Sequence, residues 1–279
     1  MNASSGSRAR LKSSAAIAGS LFLLALGSAC SKADQRPKTL LAVFAHPDDE
    51  AFVGPLLSHY ARRGVRVQLA IVTDGGKGGR APDGAPAGRD IASIRADEAR
   101  CSCHELGIEP PILLGFRDDE LGRPNDPPAG YLAEVVQAVR GVLARSSPDA
   151  VVTWGPEGGY GHPDHRLVGD VVTELVQAGL KGVPSRLFYP GLPEDRVRRR
   201  PGDPRWAVTD ARFLTVRVPY DEKDLAATRK AFACHESQYP ADRREALVSW
   251  LHETLGGRLC LRPWFGGGTA DDVFALPAP

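Results

Sequence analysis

Apolar residues fall along this chain in short blocks, each followed by a longer stretch of mixed polarity. Residues 40–45 are an unbroken apolar run ending at His46-Pro47, the pattern of a strand covered on both faces. Residues 50–63 predict a helix closed by Gly64, and residues 65–73 (VRVQLAIVT) a second strand. The Gly- and Pro-rich stretch 75–90 predicts a long loop of the kind that carries function. Beyond it the pattern predicts a helix at 91–106, stopped by Gly107, a short strand at 111–116, a helix at 131–145 and an apolar strand at 150–154. A Gly-rich loop at 155–161 leads into a helix at 163–177. Strands follow at 187–189 and 213–218, and helices at 221–233 and 243–251. Strand and helix alternate with no break in composition after residue 37. This predicts a single α/β domain, a Rossmann-like, mostly parallel sheet with helices on both faces, over residues 38–279.

The first thirty residues depart from this pattern. Arg8, Arg10 and Lys12 precede an apolar run at 15–26, and Gly27-Ser28-Ala29 leads into Cys30. Basic, then apolar, then small is the pattern of a secretory signal, and the apolar part is too short to span a bilayer. Residues 1–29 therefore read as a signal peptide and residues 30–37 as a tether, placing the domain in the periplasm or cell envelope of a bacterium. Cys30 resembles the lipidated cysteine of a bacterial lipoprotein and is a candidate lipid anchor. The leucine usual three places before that cysteine is replaced by Gly27, with Leu26 one place further back. The mature chain is expected to begin at Cys30 or Ser31. The mass of the native N-terminus checks this, and an intact Met1 overturns it.

Charge narrows the function. Lys and Arg number 35 against 34 Asp and Glu, so the chain lacks the basic excess of a nucleic-acid binder. No apolar run after residue 35 is long enough to cross a membrane. Cys101, Cys103, Cys234 and Cys260 form no Cys-x-x-Cys pair, so they do not read as a zinc knuckle. Export allows a disulfide among them, while burial as small apolar residues is the alternative.

Two predicted strand ends carry the same phrase. Ala45-His46-Pro47-Asp48-Asp49-Glu50 follows the first strand, and Gly161-His162-Pro163-Asp164-His165 follows the strand at 150–154. In an open parallel sheet, ligands bind at the carboxyl ends of strands. Each proline holds its histidine extended and suits the first turn of a helix, which places the following Asp and His at the crevice. His46, Asp49 and His165 make a set of two imidazoles and one carboxylate. That set suits zinc and leaves a fourth position for water. Asp48, beside the ligands, is left over as a general base. His59, His104 and His252 lie on predicted helices with no partner motif and read as surface or packing residues. The tract at 196–200 reads as a solvated basic loop.

These residues resemble the LmbE-like, or PIG-L, family of zinc-dependent N-deacetylases, over about residues 40–238. AHPDDE at 45–50 is the most specific element, and the stretch from Gly159 to His165 (GYGHPDH) resembles the second motif of the thiol-glycoside deacetylases in that family. Weaker echoes are Thr73-Asp74-Gly75, Arg95-x-x-Glu98 with Leu106-Gly107, and His235-x-Ser237-Gln238. The resemblance implies Zn2+ on His46, Asp49 and His165, with Asp48 as general base. It implies that His162 stabilises or protonates the tetrahedral intermediate, that Asp164 tunes the charge of His162, and that Tyr160 polarises the substrate carbonyl. It also implies that Arg95 faces the substrate. Gly76 stands where relatives often carry an acidic residue. The implied function is removal of an N-acetyl group from an N-acetylglucosamine-type sugar or glycoconjugate. The alternatives are a zinc amidase acting on another acyl conjugate and a non-catalytic carbohydrate-binding protein. Asp48 and His162 argue against the last, because binding alone needs neither base nor acid.

Overall fold

The run at 40–45 has no polar side chain to turn toward water, and the strand it forms lies inside the sheet. The computed structural model describes residues 36–80, 90–122, 131–179, 182–183, 186–198 and 205–276. The signal segment, Cys30, residues 81–89 of the Gly-rich loop, and Arg199 and Arg200 lie outside them. Residues 37–279 make up one unit. In chain order its elements are β1 (Thr39–Phe44), α1 (Gly54–Ala61), β2 (Arg66–Thr73), α2 (Ile91–Leu106), β3 (Ile112–Phe116), α3 (Tyr131–Ser146) and β4 (Ala150–Thr153). They continue with α4 (Pro163–Gln177), β5 (Leu187–Pro190), β6 (Val216–Pro219), α5 (Glu222–Ala233), α6 (Ala241–Leu255) and β7 (Arg258–Pro263).

The strands form one sheet in the order β3-β2-β1-β4-β5-β7-β6. The pairings from β3 across to β5 are parallel, and β7 runs antiparallel to both β5 and β6. Alternation along β1 divides the core. Leu40, Ala42 and Phe44 pack with Leu56 and Leu57 of α1 and with Leu106 of α2. Leu41 and Val43 pack with Val139 of α3 and with Val168 and Val172 of α4. Helices therefore cover both faces of the sheet, as the pattern predicts.

Two details differ from the sequence reading. The helix expected over 50–63 is broken: a 3-10 turn at Asp49–Val53 precedes α1, and Pro55 stands in the first turn of α1. Without an N–H, proline cannot continue the preceding turn, so the α-helix starts afresh there. Strand β7 was not anticipated, because only Leu259, Cys260 and Leu261 lie between its flanking arginines. Its place between β5 and β6 comes from antiparallel pairing, which a short local pattern does not reveal.

Helix α4 approaches β4 closely. A Cβ on Gly169 would stand 2.2 Å from the carbonyl oxygen of Trp154, so only glycine allows this contact. Gly169 lies one turn after His165 on the same face of α4. The close approach thus presses His165 against the strand end. Cys101 on α2 and Cys234, just after α5, form a disulfide, whereas Cys103 and Cys260 are free and buried.

Candidate active site

The chain leaves β1 toward the α1 face and leaves β4 toward the α4 face. Two neighbouring strands whose connections diverge open a crevice at their carboxyl ends. Both His-Pro-Asp phrases border this crevice. In the second, Pro163 opens α4 as expected, with His162 at the N-cap. In the first, Pro47 precedes the helical turn, and Asp48 stands at its N-cap with φ 113°.

Asp49 is held by its surroundings. Its Oδ2 accepts the backbone N–H groups of Ala45 and His46 and the indole N–H of Trp154, each at 3.0 Å. Oδ1 is left to face His165 Nε2 at 3.1 Å. Burial would raise the pKa of this carboxyl, but His165, His46 and the indole outweigh burial and keep it ionised. The ring of Trp154 also stacks on His165, with centroids 4.8 Å apart.

The groups around the two imidazoles favour complementary tautomers, through a hydrogen bond at His165 and through the carboxylates that face His46 Nε2. His165 Nδ1 lies 3.2 Å from the Gly158 carbonyl, which can only accept, so Nε2 carries the lone pair. His46 Nε2 faces Asp118 Oδ1 at 3.0 Å and Asp164 Oδ2 at 3.4 Å, so its lone pair is on Nδ1. His46 Nδ1 and His165 Nε2 lie 3.0 Å apart, and Asp49 Oδ2 is 3.8 Å from His46 Nδ1. Two lone pairs and a carboxylate converging at these distances are a donor set for a cation, with carboxylates behind one imidazole and a carbonyl behind the other. Two other groupings around His46 bring ligand atoms within 4.8 Å, one with His162 and His165 and one with Asp118 and Asp164. In the second, Asp118 also accepts the N–H of Lys77 and Asp164 that of Asp119. The surrounding field favours positive charge: burial alone would lower the His46 pKa, but Asp118, Asp164 and Asp49 raise it to about 10.

Asp48 sits beside this set in the left-handed backbone region, which a non-glycine residue occupies only when its surroundings hold it there. Its N–H donates to Glu50 Oε2 at 3.0 Å. Glu50 is fully buried, and its Oε1 meets His235 Nε2 at 2.6 Å and accepts Ser102 Oγ–H at 2.5 Å. Each member of the pair holds the other ionised against burial, so the Glu50 carboxyl is shifted down and the His235 imidazole up. Arg95 completes the support. It donates to Asp48 Oδ1 at 3.2 Å, to the Pro47 carbonyl, and to the Gly75 carbonyl at 2.8 Å. Burial raises the Asp48 pKa to about 6, with Arg95 pulling the other way.

These contacts correct one expectation. Arg95 does not face the crevice. It is 2% exposed and spends its donors on the backbone around Asp48 and Gly75, which makes it a positioning residue. A Cβ on Gly75 would lie 2.4 Å from its guanidinium, so that loop packs directly on it. The Asp164 carboxylate contacts His46 and the Asp119 N–H, and its contribution at His162 is a longer-range raising of the pKa.

His162 is half-buried. Its Nδ1 accepts the Asp164 N–H at 3.2 Å, so the neutral ring carries its proton on Nε2 as a donor. Burial and the neighbouring His46 and His165 lower its pKa. Tyr160 stands at the mouth, 44% exposed, with its ring 5.2 Å from that of His165 and 5.9 Å from that of His162. Of the remaining histidines, His59 is buried beside Asp224, His104 is exposed, and His252 meets the Tyr220 hydroxyl. Among the described residues, the sequence reading missed Asp118, Trp154, Glu50 and the role of His235. The signals present were a carboxylate just past a third strand end, an aromatic at a fourth, the closing Glu of AHPDDE and the His235-x-Ser237-Gln238 echo.

Residues 41–176 match the family model described as PIG-L, GlcNAc-PI de-N-acetylase. A curated relative, the 1D-myo-inositol 2-acetamido-2-deoxy-alpha-D-glucopyranoside deacetylase of Corynebacterium urealyticum, is 29% identical over 72% of this chain and 71% of its own. The protein of the same name from Actinosynnema mirum is 34% identical over 55% of this chain and 59% of its own. Among solved structures, the N,N'-diacetylchitobiose deacetylase of Pyrococcus horikoshii superposes with a TM-score of 0.59 at 25% identity, over 81% of this chain and 83% of that one.

Proposed function

We propose that the chain, which over residues 41–176 is similar to the PIG-L, or LmbE-like, family, is a zinc-dependent N-deacetylase acting on an N-acetylated amino sugar or its glycoconjugate. The observation that carries this reading is the convergence of His46 Nδ1, His165 Nε2 and the Asp49 carboxylate, with a base and a donor alongside. Zinc held by these three groups would supply a Lewis acid at the scissile carbonyl. The relatives add the substrate class, since their names specify acetamido sugars or diacetylchitobiose.

The chain's own residues divide the remaining work. Asp48 accepts a proton from the attacking water as its oxygen bonds to the carbonyl carbon. Asp48 lines the crevice beside Asp49 and His165, and Glu50 and Arg95 hold it there, which supports that role. His162 Nε2–H donates to the oxygen that becomes negative in the tetrahedral intermediate, and Tyr160 is placed to add a second donor. Collapse breaks the C–N bond, the amine nitrogen takes the proton that Asp48 accepted, and acetate and a free amino sugar leave.

The test is acetate release from N-acetylglucosamine, diacetylchitobiose and the acetamido-glucosyl inositol. Release should stop with a chelator and return on adding zinc. Zinc-loaded protein that frees acetate from none of them would refute the reading.

A further inference from the structure

The crevice continues past the donor set. From Asp48, Asp49 and His165 it opens into a pocket walled by Phe52, Trp206, Phe232, Val248, Trp250 and Leu251. These side chains come from separate parts of the fold: the turn after β1, the segment before β6, α5 and α6. Phe232, Val248 and Leu251 are at most 6% exposed and form a fixed apolar floor. Phe52 stacks on Trp206 with centroids 5.3 Å apart, and Tyr160 meets Trp206 edge-on at 5.4 Å.

The lining is unusual for a site expected to hold a polyol. Beyond Asp48, Asp49 and His165, no described side chain on the wall is charged, an amide or an aliphatic hydroxyl. Its polar atoms are those of Tyr160, Tyr239 and the indoles, and the Trp154 indole is committed to Asp49. A sugar hydroxyl pushed against this wall would give up water and find few partners, whereas a hydrocarbon or aryl group would gain by leaving water. The pocket is also continuous with the carboxylates at the reacting centre, so whatever fills it is attached close to the amide.

We propose that the substrate carries an apolar group, an alkyl chain or an aryl ring, that seats in this pocket while its amide lies at the donor set. This rests on the amide-hydrolase reading above and adds to it. Such a group can be attached in two ways: as an N-acyl chain longer than acetyl, or as a hydrophobic substituent on the anomeric oxygen. Both present the same surface to Trp206 and Trp250.

Two substrate series on the zinc-loaded protein distinguish them. One lengthens the acyl chain of N-acyl-glucosamine from acetyl to octanoyl. The other keeps the acetyl group and changes the anomeric substituent from methyl to hexyl or phenyl. In one series kcat/KM should rise about three- to fourfold per added methylene until the pocket is full. Hexyl glucoside, which has no amide to cleave, should perturb indole fluorescence and compete with substrate, whereas glucose should do neither. Trp250→Ala and Leu247→Gln should each flatten the rising series by about tenfold at its longest member; Leu247 also lines the pocket and is half-buried, so its replacement spares the packed core. Two flat series with no preference for hexyl glucoside over glucose would overturn the proposal and leave the deacetylase reading standing. If no amide were cleaved while hexyl glucoside still bound and Trp250→Ala abolished that binding, the pocket would stand and the deacetylase reading would fall.

Discussion

Substituting His165 by Ala is expected to empty the cation site and reduce deacetylation by about 10³-fold or more, since several kcal/mol of transition-state stabilisation goes with the metal. The reason lies in the geometry. His165 Nε2 is the atom nearest both His46 Nδ1 and Asp49 Oδ1, at 3.0 and 3.1 Å, and removing it leaves two donors. His46→Ala should behave alike and remove the partner of Asp118 as well. Asp118→Asn is the informative contrast. It leaves all three donor atoms in place but weakens the group that holds the His46 tautomer, so zinc affinity should fall about 10- to 100-fold rather than vanish. Metal content and rate are measured on the same preparations. Stoichiometric zinc in His165→Ala would strike that residue from the donor set, and zinc lost equally from Asp118→Asn would favour the grouping of His46 with Asp118 and Asp164.

The candidate donors stood out in the sequence because each belongs to a His-Pro-Asp phrase between an apolar run and a helix, where proline marks the turn. His46 follows β1, and His165 falls in the first turn of α4, where Pro163 starts the helix. What supports the donors could not be read in this way. Asp118 comes from the end of β3 and reaches His46 across a sequence separation that no local spacing reveals. Trp154 reads as the last residue of a strand, yet its indole fills the third acceptor position on Asp49 Oδ2. Arg95 looks like a cation aimed at a substrate because a buried, fully paired guanidinium has the same one-letter signature as a free one. The fold follows the same rule. The parallel core was legible from its apolar runs, whereas β7 depends on antiparallel partners distant in sequence.

Asp48→Asn should keep its zinc and lose about 10²–10⁴ in rate, whereas Asp49→Asn should lose the zinc itself. The two neighbours share a residue type but not an environment. Asp49 Oδ2 already accepts three N–H groups, and Oδ1 faces His165. An amide has one oxygen. If it satisfies the three donors, its NH₂ points at the cation; if it turns round, three buried N–H groups face NH₂. Either way the site fails. Among the described residues the Asp48 carboxylate accepts one hydrogen bond, from Arg95 at 3.2 Å, and an amide oxygen can accept it as well. Shape survives at that position and basicity does not. The pH profile carries the sign of the assignment. Asp48 works as a carboxylate, so activity is present above its pKa and is lost as pH falls through it. Burial puts that pKa at about 6, and a nearby cation lowers it further by favouring the charged form. The acid limb of kcat/KM should therefore lie at or below about pH 6 in the wild type and fade from the residual rate of Asp48→Asn. His162→Ala should also keep zinc and lose about 10²–10³ through the missing donor. Zinc lost from Asp48→Asn together with full activity in Asp49→Asn would reverse the two roles, and full activity in both would end the hydrolase reading.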